Sequence, residues 1–163
     1  MIGLAELKYS LDNINSWIRD LDQKTGIFLS AQTITLTIIF NIYMIHAPEK
    51  NLPSISIFVL KYFGICLIAT SMLMNITNIR SSIIHKKTKN PLLFYGDISH
   101  LSLKQFIKDV SKTSSFEFSG MLKAQIFFSS RIATTKHKVF KSSIDIFFTG
   151  LVLIMASVAI QSL

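Results

Sequence analysis

Cysteine, proline and acidic side chains are scarce in this sequence. Its one cysteine, Cys66, excludes an intrachain disulfide and any metal site built on paired cysteines. That residue lies inside an apolar run and reads as a small core or lipid-facing side chain. The three prolines are Pro48, Pro53 and Pro91, so nothing after Pro91 stops a helix by removing its N–H. Nine acids against seventeen bases leave a formal net charge of +8. Familiar catalytic signatures are missing as well. The four histidines, His46, His85, His100 and His137, form no H-x-x-x-H pair. No G-x-S-x-G, H-E-x-x-H, P-loop or G-x-G-x-x-G pattern occurs. In the soluble part the acids Asp97 and Asp109 make no close pair with any other. An enzyme is therefore the weaker class, and neither metal nor cofactor is expected. A cleavable signal peptide is not expected either, because the first 24 residues alternate charge and hydrophobe.

What is abundant is apolar sequence. Half of the residues are hydrophobic and the mean hydropathy is +0.46, high for a soluble domain of this length. The chain begins with Leu4, Leu7, Leu11, Ile14, Ile18 and Leu21 in alternating steps of three and four, one face of a helix. Packing on partner helices is the expected use of that face; a membrane-surface helix with Trp17 at the interface is the rival. The stretch D-Q-K-T-G, Asp22 to Gly26, precedes an uncharged run long enough to cross a bilayer. Within it Ser30, Thr33, Thr37 and Asn41 stand at offsets 0, 3, 7 and 11 and form one polar stripe. Such a stripe either hydrogen-bonds a neighbouring helix or lines a water-filled path. A turn with Pro48 and Pro53 leads to a second apolar run, Ile55 to Ile79, in which Lys61 can snorkel to the interface.

Twelve of the seventeen bases fall between Arg80 and Lys141, beside three acids, Asp97, Asp109 and Glu117. The loop between the first two runs holds one base, so the positive-inside rule puts the amino terminus and residues 80–141 in the cytoplasm. A helix is expected from Leu101 to Ser111, with Leu103, Phe106, Ile107 and Val110 on one face. A linker and helix start follow at Ser111 to Ser115. The chain from Phe116 onward reads as one long helix, amphipathic and basic to Lys141 and then nearly uncharged, with Asp145 its only charge. At about 1.5 Å per residue it can span a bilayer and still project roughly 35–40 Å into water. The expected fold is all-α: an amphipathic cytoplasmic helix over 1–24, a transmembrane hairpin over 25–79, a basic cytoplasmic sensor region over 80–141 and a third span over 142–163.

Several groups suit phosphate or nucleotide binding. Lys24 abuts an expected helix start at which the N–H groups of Thr25 and Gly26 are accessible. Asn90, Phe94 and Tyr95 offer an amide and two rings for stacking. On the last helix Gln125, Ser129, Ile132 and Lys136 share a face, with Arg131 and Lys138 beside it. A basic stripe of this kind also occurs as an ordinary solvated face.

Three blocks of the sequence resemble the Pycsar effector family, the transmembrane effectors of bacterial antiphage signalling, to which Hailong effectors are similar. They are Asp22, Lys24, Thr25 and Gly26 before the first span, N-P-L-L-F-Y-G-D-I from Asn90 to Ile98, and Gln125, Ser129, Ile132 and Lys136 before the last span. The resemblance implies an inner-membrane effector controlled by a nucleotide signal from a partner enzyme, which permeabilises the membrane on infection. In Pycsar systems the signal is a cyclic pyrimidine mononucleotide. In Hailong-type systems it is a DNA oligomer acting on a tetrameric ion channel. A three-span subunit has too few helices to surround a pore, so a homo-oligomer is expected, a tetramer foremost. The alternative is a membrane scaffold that recruits a cytoplasmic partner through its basic helical region.

Overall fold

A computed structural model describes residues 3–45, 55–80, 98 and 100–161. The long elements are helices α1 (Leu4–Ile45), α2 (Ile55–Arg80), α3 (Leu103–Lys112) and α4 (Ser115–Gln161), and no strand occurs among the described residues. Helices α1, α2 and α4 are each long and apolar enough to cross a membrane. The fold is thus the all-helical, three-span architecture that the hydropathy predicts.

Local chemistry accounts for the starts of α3 and α4. Ser102 caps α3, accepting from the Gln105 backbone N–H while the Gln105 side chain accepts from the Ser102 N–H. This box starts the helix two residues later than the expected Leu101. Ser114 and Glu117 repeat the arrangement at α4: the Ser114 N–H and hydroxyl donate to Glu117 Oε2, and Ser114 Oγ accepts from the Glu117 N–H. Those two donors, the N–H first, hold the Glu117 carboxyl below its ordinary range.

The expected helix start at Lys24 does not exist. Helix α1 runs unbroken through D-Q-K-T-G, so the Thr25 and Gly26 N–H groups belong to the helix interior. A single glycine costs an exposed helix only about 1 kcal/mol, too little to break a rod with good helix formers on both sides. The buried Thr25 turns its hydroxyl back to donate to Leu21 O at 2.7 Å.

The chain divides into two compact units, and α1 and α4 each contribute to both: Met1–Asp20 with Ser82–Thr135, and Leu21–Ser81 with Lys136–Leu163. In the first, Leu7 and Leu122 are buried, and Leu11, Ile14 and Ile18 are partly covered while Trp17 stays exposed. The seam therefore packs within its own unit. The apolar face of α3 packs less: Phe106 is partly covered, but Leu103, Ile107 and Val110 remain exposed.

The second unit is a three-helix bundle. Gly64 meets Gly150, the Ser71 hydroxyl donates to Ser143 O, and the Asn78 amide donates to Lys136 O. Each step of seven along α2 is matched by seven backward along α4, so the two helices pack antiparallel in a heptad register. Ile68, Phe147 and Ile154 form the buried core between them, and Phe28, Leu36 and Ile39 of α1 pack against it. Phe28 stands edge-on to both Phe140 and Phe147, with ring centroids 5.9 and 5.4 Å away. Contacts of Asp22 with Lys136 and of Gln32 with Ser71 set α1 parallel to α4.

Candidate functional site

Helix α2 carries Ser71, Asn75 and Asn78 at offsets 0, 4 and 7, a polar face that turns into the bundle rather than away from it. Gln32 of α1 and Ser143 of α4 meet it, and all three helices join in a closed ring of hydrogen bonds. Gln32 Nε2 donates to Ser71 Oγ at 2.6 Å, and Ser71 Oγ donates to Ser143 O at 2.6 Å. Ser143 Oγ donates to Asn75 Oδ1 at 2.7 Å, and Asn75 Nδ2 donates to Gln32 Oε1 at 2.9 Å. All four residues are fully buried. Between membrane helices such bonds contribute roughly 0.6 kcal/mol apiece, so the ring fixes register more than it adds stability. It also fills the bundle axis, which leaves no room for a polar path through the three helices at this level.

At one end of the bundle, Lys136 Nζ donates to Asp22 Oδ1 at 2.5 Å. The lysine side chain is 6% exposed and the aspartate 36%. Asn78 holds the backbone carbonyl of the same lysine, so α1, α2 and α4 are clasped at a single level. That level adjoins Leu21 and Lys136, the residues with which α1 and α4 enter this unit. The pair unites two of the sequence blocks, the one at Asp22 and the one ending at Lys136.

This arrangement revises the expected binding set. Lys136 is not an exposed cation, because Asp22 already neutralises it inside the bundle. Lys24 and Lys138, two residues beyond the clasp on α1 and α4, are exposed at the same end of the unit. In the other unit Arg131 is exposed, its guanidinium 5.8 Å over the Phe127 ring, and Gln125, Ser129 and Ile132 are partly covered. Asn90, Phe94 and Tyr95 lie outside the described residues. Among the described residues, no three side chains converge as metal ligands.

The stripe on α1 faces outward. Ser30, Thr33, Thr37 and Asn41 are all exposed. The first three satisfy their hydroxyls locally, donating to Gly26 O, Leu29 O and Thr33 O one turn back. Among the described residues the stripe therefore binds no other helix of its own chain, and the packing function falls to the Gln32, Ser71, Asn75 and Ser143 ring. Sequence reasoning passed over that ring, although the spacing of Ser71, Asn75 and Asn78 is as regular as that of the α1 stripe.

A three-span helical bundle, locked by buried amides and hydroxyls and leaving a polar stripe turned outward, defines an integral membrane protein with a second helical unit. The sequence matches the PycTM family, described as the Pycsar effector protein domain, over residues 6–162, and the chain belongs to this family. It is accordingly a membrane effector of antiphage defence, and its spans point to the inner membrane. No curated protein and no solved structure matches it.

Proposed function

We propose that this chain is a nucleotide-regulated effector that assembles as a homo-oligomer, a tetramer, into an ion channel and thereby disrupts the inner membrane on infection. The observation that carries this reading is the outward α1 stripe of Ser30, Thr33, Thr37 and Asn41 beside a bundle axis already filled by the buried ring. Four polar side chains on a lipid-facing surface gain nothing there. Around a shared axis they supply one hydroxyl or amide per layer from each copy.

The ligand is a nucleotide or single-stranded DNA oligomer made by a partner enzyme. Its phosphates meet Lys24 and Lys138 at the clasp end and Arg131 on α4, with Asn90, Phe94, Tyr95 and Gln125 completing the set. Lys136 joins only when Asp22 releases it, which ties ligand contact to the state of the clasp. The amino terminus and residues 80–141 are cytoplasmic. In a Cys66→Ser background, a cysteine at Thr113 is expected to label only after lysis, and one at Asn51 from outside intact inner membranes. Labelling of both from one side refutes this topology.

The pore is tested by Thr37→Leu. Leucine at this layer is expected to dewet the path and abolish liposome flux and toxicity, with oligomer size unchanged. Loss of the oligomer would return the stripe to subunit packing, and unchanged flux would put the path on another face. A scaffold that recruits a cytoplasmic partner is the second reading, favoured by the exposed Leu103, Ile107 and Val110 of α3. Wild-type protein that binds a partner but conducts nothing would support it.

A further inference from the structure

Asp145 is exposed on α4, and its carboxylate makes no hydrogen bond or ion pair with any described residue; the Thr149 hydroxyl donates to its backbone carbonyl, not to its side chain. Its depth follows from the register. The pairing of Gly64 with Gly150 and of Ser71 with Ser143 sets Asp145 level with Ala69, eleven residues, roughly 16 Å, from Arg80 at the end of α2. On α4 itself it stands nine residues, roughly 13 Å, beyond the clasp lysine. A hydrocarbon layer about 30 Å thick that begins near the clasp would enclose it. Lys141, one turn nearer the clasp, is long enough to reach back toward water. An aspartate is not, and at a lipid-facing site inside the span it costs about 2.5–3.5 kcal/mol on insertion scales. Nor can it turn inward, since Ser143, two residues earlier, is sealed into the buried ring. Water must therefore reach it from outside the three-helix unit, between copies of the chain. Gln32 shares the ring with Ser143, so its neighbour Thr33, outward on α1, lies close to Asp145 in depth.

We propose that the Asp145 carboxylates of associated copies line the water-filled path in its clasp-side half and bind and select monovalent cations there, with the Thr33 hydroxyls as neutral oxygen ligands in the adjoining layer. This rests on the channel reading above. The chemistry is that of a carboxylate ring, which attracts cations and repels anions where the path is narrow.

The test uses the full-length protein in liposomes under a potassium chloride gradient. Wild type is expected to set a potential near that of potassium, Asp145→Glu to keep it, and Asp145→Asn to lose the discrimination against chloride while oligomer size is retained. An unshifted potential in Asp145→Asn overturns the proposal. So does an oligomer that dissociates in Asp145→Asn and survives in Asp145→Glu, which would make the residue an ion-pair partner between subunits. If wild type carries no flux either alone or with cyclic pyrimidine mononucleotides or single-stranded DNA oligomers added, the channel reading fails, and the placement of Asp145 is decided separately by thiol chemistry. In a Cys66→Ser background, Asp145→Cys is expected to react with a membrane-impermeant cationic methanethiosulfonate as readily as the exposed Thr134→Cys. An inert cysteine at 145 would mean a lipid-facing residue and would also overturn the proposal.

Discussion

Asp22→Ala is expected to destabilise the membrane bundle far more than Lys136→Met, although the two residues form one ion pair. Removing Asp22 leaves an ammonium on a side chain only 6% exposed, with the helices packed around it. Stranding a buried charge costs about 3–5 kcal/mol. Removing Lys136 leaves a carboxylate on a side chain that is 36% exposed and can hydrate where it stands. The loss there approaches that of a surface pair, about 1 kcal/mol. The Asp22→Ala, Lys136→Met double variant should recover most of the first loss, because no charge is then stranded. Unfolding by SDS titration in mixed micelles measures all three. An Asp22→Ala protein no weaker than Lys136→Met would show that the lysine reaches water and that the clasp is a surface contact. Since Lys136 releases its ammonium to a ligand only when the clasp opens, the same variants should also alter ligand control of activity.

Gly150→Ala should cost about 1–3 kcal/mol, the range for forcing extra volume into a close-packed contact. A Cβ at this position would lie 2.8 Å from the Gly64 carbonyl oxygen and 3.1 Å from Leu67 Cβ. Neither atom can rotate out of the way, so α2 and α4 must separate, and the hydrogen bonds from Ser71 and Asn78 across the same interface would lengthen. The matched controls are Gly26→Ala and Gly120→Ala, where a Cβ meets nothing within 4 Å. Each is expected to gain up to about 1 kcal/mol from helix propensity alone. The same micelle titration compares the three, and a Gly150→Ala protein as stable as wild type would mean that the helices do not cross at this pair. Gly26 adds a functional readout. If Gly26→Ala stabilises the fold but abolishes response to the signal, the small residue is required by a ligand or a second copy rather than by the bundle.

The three spans were readable because hydropathy and length act locally: an uncharged run of this size has few places to go but a bilayer. The Leu7 to Ile18 seam and the α3 face were readable for a similar reason, since helical spacing is written in adjacent turns. Spacing did not reveal which faces find partners. The seam is covered while Leu103, Ile107 and Val110 of α3 are not. The continuity of α1 was obscured by Gly26, whose small helix penalty was overridden by the residues around it. Lys136 looked like a phosphate ligand because its counter-ion is 114 residues away in sequence. The buried ring was hidden by the same distance: Gln32, Ser71 and Ser143 belong to three helices, and only their packing distinguishes a locking group from a lipid-facing one.

The closed ring also has a consequence for how the protein is made. Helices emerge from the ribosome in order, so α1 and α2 enter the bilayer before Ser143 exists. At that stage Gln32 and Asn75 can bond to each other, but Ser71 has lost its acceptor and the Asn75 carbonyl its donor. The hairpin is therefore an incomplete intermediate whose amides remain open to other polar partners in the membrane, and α4 completes it by arriving last. Chains truncated before α4 are expected to be recognised as unfinished and degraded, which would keep a membrane-damaging protein from accumulating in fragments.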